Sequence, residues 1–312
     1  MTEWTLPPYA DPARFTEEEL ALTAGGQEVP GTLTLPRPAV PGSGGRLMPG
    51  VGVVLLPGGG PFDRDETSGP NKPLKDLAWG LASQGIAVLR FDKLTANRPE
   101  AMAEPGFTMT AEYVPHAIAA VHTLKQYVDQ VFLIGHSMGG KVAPKIAAEE
   151  PLVAGLVIMA GDTQPMHHAA VRVMTYLSTT NPEAVPPGTI ELFERQAAVV
   201  DSPDLSPDTP PADLPFGMPG SYWLDLREYD AVATAAKLDV PILVLQGGRD
   251  YQVTVADDLP AWREALPTAT IKILPADNHL FFPGTEPSTL ADYQTAQHVD
   301  PEALTTIFDW LR

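Results

Sequence analysis

Val131-Phe132-Leu133-Ile134-Gly135-His136-Ser137-Met138-Gly139 is the stretch that decides the reading of this 312-residue chain. Val131 to Ile134 is an apolar run without alternation, which suits a strand buried on both faces. Met138 to Glu149 then follows a helical pattern. Between them, Gly135-His136-Ser137-Met138-Gly139 matches G-x-S-x-G. Alone the match is modest, since a chain of this length shows it by chance on the order of one time in ten. Placed between strand and helix it has a mechanical sense: a sharp turn lifts the Ser137 hydroxyl out of the sheet. Gly135 and Gly139 flank that turn where a Cβ would clash with the neighbouring strand and helix. The helix start leaves backbone N–H groups free beside Ser137, and the Met138 N–H is a natural donor to an oxyanion.

Moving outward, similar runs recur at Val51 to Leu56, Ile86 to Phe91, Leu152 to Met159, Ile242 to Leu245 and Ile271 to Leu274. Helical patterns lie between them at Pro73 to Gln84 and Glu112 to Tyr127. Repeated strand–helix–strand predicts an α/β fold, a mostly parallel central sheet with helices on both faces. Glu18 to Ala24 and Gln27 to Leu35, joined at Gly25-Gly26, read as an edge hairpin. Ala39 to Gly50 reads as a Pro/Gly/Ser linker. Pro301 to Leu311 reads as the last helix, with Asp300 as N-cap. Residues 163–222 break the alternation. They predict helices at Ala169 to Ser178 and Ile190 to Val200, then a proline-rich loop. An insertion after a parallel strand usually lies over the carboxyl ends of the strands, so it predicts a helical cap. The expected organisation is a core of 1–162 and 223–312 with a cap of 163–222.

Bulk properties narrow the partners. Net charge is −19, which opposes nucleic acid and anionic membrane surfaces. The chain has no cysteine, which removes disulfides, thiolate metal sites and a cysteine nucleophile. Met1 to Pro8 lacks a basic start and an apolar run, and no stretch reaches about 18 apolar residues. No membrane association and a cytoplasmic location are the expectation. No His/Asp/Glu spacing resembles a metal site, and Gly58-Gly59-Gly60 lacks the Lys and Ser/Thr of a phosphate loop, so neither metal nor cofactor is expected. Oligomeric state is not legible.

Together with the elbow, Gly58-Gly59-Gly60-Pro61-Phe62-Asp63-Arg64-Asp65-Glu66, Gly69-Pro70-Asn71-Lys72-Pro73, Leu77-Ala78-Trp79-Gly80-Leu81-Ala82 and Arg90-Phe91-Asp92-Lys93 carry a resemblance. The chain resembles the α/β-hydrolase superfamily, and within it bacterial serine carboxylesterases, from Glu18 onward and most weakly across the cap.

A serine nucleophile needs a base and an orienting acid. In this fold they follow in the order Ser, acid, His. Two carboxylates end candidate strands after Ser137: Asp162 and Asp250. The resemblance implies Asp250, leaving Asp162 as a cap for the first cap helix. Of seven histidines, His279 lies in a short loop after the last strand, where an imidazole can drop onto Ser137, and the family pattern agrees. His116 and His122 are expected to face solvent, His136 to point away from Ser137 as packing, His167 and His168 to lie on the cap surface, and His298 to make a terminal contact.

The resemblance places the second oxyanion donor in Pro57-Gly58-Gly59-Gly60, at Gly59 with Gly60 as the alternative. Relatives often carry His-Gly where this chain has Pro57-Gly58, which questions how the loop is anchored. Asp63, Arg64, Asp65 and Glu66 read as an ion-paired loop, with Arg90 or Lys93 as partners. Gly60, Met166, Tyr222 and Trp223 are the expected substrate contacts. The expected function is hydrolysis of small to medium uncharged carboxylic esters through an acyl-enzyme. The alternatives are a serine peptidase or aminoacyl-peptide hydrolase, with Arg172, Arg195 or Arg227 as anchors, and a non-catalytic binding protein of the same fold.

Overall fold

The computed structural model describes residues 3–37, 50–104 and 106–312. The expected linker therefore lies outside the described residues, apart from Gly50. The apolar runs form eight strands: β1 (Phe15–Ala24), β2 (Gln27–Pro36), β3 (Val51–Leu56), β4 (Ala87–Phe91), β5 (Gln130–His136), β6 (Val153–Met159), β7 (Ile242–Gly247) and β8 (Thr270–Leu274). They make one sheet in the order β1-β2-β4-β3-β5-β6-β7-β8. β1 and β2 form the edge hairpin, and β2 also runs antiparallel to β4. β3 to β8 are parallel throughout.

Both faces of the parallel part are buried, which is why its strands read as unbroken apolar runs. Val54 and Leu56 of β3 join a core with Val121 and Leu124 of helix Met109–Leu124 and Val142 and Ile146 of helix Met138–Glu149. Val53 and Leu55 face the opposite core, with Leu74 and Leu77 of helix Pro73–Ser83 and Leu304 and Ile307 of helix Pro301–Trp310. Asp300 caps that last helix through the Glu302 N–H, with Pro301 in its first turn. The helix expected from Glu112 starts three residues earlier, because the Thr108 side chain accepts from the Ala111 N–H and caps it there.

Between β6 and β7 the chain forms helices Met166–Thr180, Thr189–Asp201 and Gly220–Glu228, with short 3₁₀ turns between the last two. The expected boundary at 222/223 falls inside the third of these helices. Among the described residues, no helix is long and apolar enough to cross a membrane.

Candidate active site

Ser137 sits at the junction of β5 and helix Met138–Glu149 with φ 53° and ψ −119°. A non-glycine residue rarely holds such a conformation. Surrounding structure enforces it: the Ser137 N–H donates to Met159 O at 2.8 Å. A Cβ on Gly135 would lie 2.3 Å from Gly139 O, and one on Gly139 would lie 2.4 Å from Leu56 O. Both are backbone atoms, so the glycines of the motif are steric requirements of the turn.

Asp250 and His279 come from the loops after β7 and β8. Asp250 Oδ1 accepts the N–H groups of Gln252 (2.8 Å) and Val253 (3.0 Å). Its Oδ2 is 2.7 Å from His279 Nδ1. Both residues are buried. His279 and Ser137 line one small cavity of ≈ 140 Å³ together with Gly58 and Gly59. Asp162, the other candidate acid, is not near His279 in hydrogen bonding. It takes the Lys141 ammonium at 2.6 Å, in a pair buried on both sides. Nor does it cap the following helix, whose N-cap is Pro165 without a side-chain bond.

The Gly58-Gly59 loop crosses directly over the elbow. A Cβ on Gly58 would lie 3.3 Å from Ser137 Cβ, and one on Gly59 would lie 3.7 Å from Met138 Cβ. The two expected donors, Gly59 and Met138, are thus neighbours. Met138 opens its helix, so its N–H has no intrahelical acceptor.

Ser137 also lines a larger cavity of ≈ 490 Å³, walled by Gly59, Gly60, Met166, Val173, Met174, Phe216, Met218 and Tyr222. Gly60, Met166 and Tyr222, three of the expected substrate contacts, are thus on the wall of the cavity that Ser137 borders. Trp223 does not. It is buried behind that wall, edge-on to His167 (5.9 Å between centroids), and lines a separate cavity of ≈ 320 Å³ with Lys141 and Asp162. On a helix, the neighbouring residue points about 100° away, so Tyr222 and Trp223 cannot share a face. Glu112 and Asp162 are the acidic lining residues, and each faces a buried ammonium: Lys93 at 3.2 Å and Lys141 at 2.6 Å.

Three histidines differ from expectation. His116 is buried, with Nε2 on Gln27 O at 3.2 Å, and burial pulls its imidazole below the ordinary value. His167 is buried beside Asp201. His136 is not mere packing: Nδ1 lies 2.9 Å from Glu66 Oε1 and Nε2 lies 2.7 Å from His279 O. Burial lowers its pKa, but the adjacent Glu66 carboxylate more than offsets this and leaves it raised. The Asp63–Glu66 loop pairs through Asp65 with Arg90 (2.9 Å), one of the two expected partners, and through Arg64 with Asp92 (2.9 Å), while Lys93 pairs with Glu112. Glu66 instead turns inward. His167, His168 and Asp201 bring three ligand atoms within 4.8 Å of one another, a set that also satisfies itself as two His–carboxylate pairs.

Residues 53–293 match the model of the alpha/beta hydrolase family. The chain is 35% identical over 314 residues to Esterase EstD of Thermotoga maritima, covering 99% of this chain and 71% of that one. Among solved structures, Est1E from Butyrivibrio proteoclasticus superposes with a TM-score of 0.56 at 15% identity, covering 94% of this chain and 98% of that one. A proline iminopeptidase from Mycobacterium smegmatis does so with 0.59 at 17% identity, covering 94% and 97%. These two likenesses speak for the fold. The family model and the 35% identical relative show that the chain belongs to the α/β-hydrolase family and is a hydrolase.

Proposed function

We propose that the chain hydrolyses carboxylic esters through an acyl-enzyme on Ser137. The observation that carries this reading is the buried Asp250–His279 pair, with His279 sharing the small cavity with Ser137, which in turn borders the larger, mostly apolar one. His279 takes the Ser137 proton during attack, while Asp250 fixes the tautomer and stabilises the imidazolium. The Gly59 and Met138 N–H groups hold the tetrahedral oxyanion. His279 then protonates the leaving alcohol, and water deacylates Ser137 by the same route. Residues 163–222 act as a cap whose Met166, Val173, Met174, Phe216 and Met218 face the acyl group. The esterase name of the 35% identical relative supports the ester over the amide.

The peptidase alternative needs a charged anchor for a peptide terminus. Among the described residues lining the Ser137 cavity there is no Arg or Lys, and its two carboxylates face buried ammonium groups. Arg172 is engaged by Asp257, Asp258 and Gln252 O, and Arg227 by Val200 O and Ser202 O. Uncharged esters therefore fit best. The test is intact mass after fluorophosphonate treatment, for wild type and Ser137→Ala, beside turnover of p-nitrophenyl butyrate and alanine p-nitroanilide. One adduct, absent from the variant, with turnover of the ester alone, is expected. No adduct on folded wild type would refute the reading and favour a binding protein.

A further inference from the structure

Three consecutive glycines, Gly58 to Gly60, are a poor way to hold an N–H group still, because glycine has the widest backbone freedom. Yet Gly58 is gripped at both its C=O and its N–H. Its carbonyl, Gly58 O, accepts from the Tyr113 hydroxyl at 2.7 Å and from Lys93 Nζ at 3.2 Å. Lys93 Nζ also donates to Tyr113 at 2.8 Å and lies 3.2 Å from Glu112 Oε1. The preceding N–H, of Gly58, donates to Glu66 Oε1 at 2.7 Å. Glu66 in turn faces His136 Nδ1, whose other nitrogen meets the carbonyl of His279. All of these side chains are buried.

We propose that Glu66, His136, Lys93 and Tyr113 are positioning residues that fix the Gly58–Gly59 peptide, presenting the Gly59 N–H to the oxyanion and tying that loop to the one carrying His279. The proposal rests on the acyl-enzyme reading. Its geometry follows from the trans peptide: C=O and N–H of one unit point in opposite directions, so holding Gly58 O on Tyr113 and Lys93 sets the direction of the Gly59 N–H. A carbonyl bonded to an ammonium also polarises its amide, which makes the N–H on the far side a better donor. His136 has an acceptor at each nitrogen, a carboxylate and a carbonyl. Neutral imidazole satisfies one of these, and only the imidazolium satisfies both. The Glu66–His136 pair thus works as a charged strut between the two loops. Tyr113 stays a hydroxyl donor, since burial pushes its phenol well above the ordinary range.

The experiment uses the full chain with Tyr113→Phe and Glu66→Gln, both close to isosteric, and Ser137→Ala as reference. Steady-state hydrolysis of p-nitrophenyl butyrate is measured beside inhibition by a trifluoromethyl ketone, which forms an oxyanion on the serine, and by the matching methyl ketone. Each positioning variant is expected to lower kcat roughly 10- to 100-fold, less than losing a donor outright. KM should stay within about twofold, as for an interaction made only in the transition state. Trifluoromethyl ketone affinity should fall by the same factor as kcat, with methyl ketone affinity held. Unchanged kcat in both folded variants, with hydrolysis lost in Ser137→Ala, would overturn this proposal alone. Parallel loss of both ketones would also overturn it, since that marks a collapsed pocket. Hydrolysis surviving in Ser137→Ala would overturn the functional reading and this proposal with it.

Discussion

Replacing Asp250 by Asn exchanges one heavy atom, an oxygen for an NH₂ nitrogen, and should remove most of the activity. Asp250 Oδ1 receives two backbone N–H groups, from Gln252 and Val253. The asparagine must keep its oxygen there, because the reverse orientation would set an NH₂ against two donors. Its Nδ2 then takes the place of Oδ2, 2.7 Å from His279 Nδ1, and donates to it. His279 is left with its proton on Nε2, the nitrogen that accepts from Ser137 in the proposed mechanism. Recovering the working tautomer makes two donors face each other in a buried site, at about 1–3 kcal/mol, and the imidazolium loses a charge-assisted bond of about 1.5–3 kcal/mol. Together this is about 3–6 kcal/mol in the transition state, or roughly two to four decades of kcat.

The assay is hydrolysis of p-nitrophenyl butyrate by Asp250→Asn, with fluorophosphonate labelling rates and a thermal melt on the same samples. The loop is held by Oδ1, so the melt should move little while kcat and labelling fall together. A folded variant with kcat within tenfold of wild type would refute the orienting role of Asp250. Asp162→Asn is the comparison. It strands the buried Lys141 ammonium, so its cost should appear in the melt. A larger kinetic loss there than at Asp250 would transfer the role to Asp162.

Gly139→Ala places a Cβ 2.4 Å from Leu56 O and 2.7 Å from Pro57 O. Neither carbonyl can yield without moving β3, so a cost of about 3 kcal/mol is expected, and a melt equal to wild type would refute it. Asp277, two residues before His279, is pushed up to about 8 by burial first and by the nearby Asp300 carboxylate. The native state then keeps a proton that the unfolded chain releases near pH 4. Its contribution is full below the unfolded value and is lost as pH rises through the native one. The urea midpoint should therefore decline between about pH 4 and 8, and Asp277→Asn should flatten that slope; equal slopes in both proteins would refute it. In the cavity, each acyl methylene buried is worth about 0.8 kcal/mol, or roughly fourfold in kcat/KM. The acetate-to-hexanoate series of p-nitrophenyl esters should rise accordingly, and Ala170→Trp, on the cavity wall, should cut the longest members first. A flat series would refute the acyl assignment.

The parallel sheet was legible because its strands are buried on both faces and leave long apolar runs, and the elbow because steric demand puts glycines at fixed spacing around Ser137. The helix Met138–Glu149 has the bounds its pattern predicts. What the pattern did not carry is polar pairing across loops. Glu66 and His136 are 70 positions apart, and Lys141 and Asp162 are 21 apart. Nothing in local periodicity links such residues, since periodicity reports which face is apolar and not which polar groups meet. Trp223 was misplaced for a related reason. An aromatic beside a cavity residue reads as lining, while helix geometry turns it to the other side. His116 and His136 were read as solvent and packing because a lone histidine carries no sign of the acceptors that await it.

The same blindness explains why the anchoring of the glycine loop could be questioned from sequence but not answered. Glu66–His136 and Lys93–Glu112 are ion pairs with every partner at most 5% exposed. Such pairs are weak stabilisers, because desolvating two charges offsets most of their attraction, and an apolar replacement of similar volume is often as stable. Stability therefore gives no reason to keep two of them side by side. Position does. Both pairs have an atom within hydrogen-bond distance of Gly58, one on its N–H and one on its C=O. A hydrophobic contact cannot aim a peptide, since dispersion has no direction, whereas a buried charge with its hydrogen bonds fixes both distance and angle. These two pairs thus sit where the proposal needs a glycine-rich backbone to hold one orientation, while another buried pair, Lys141–Asp162, ties helix Met138–Glu149 to the loop after β6.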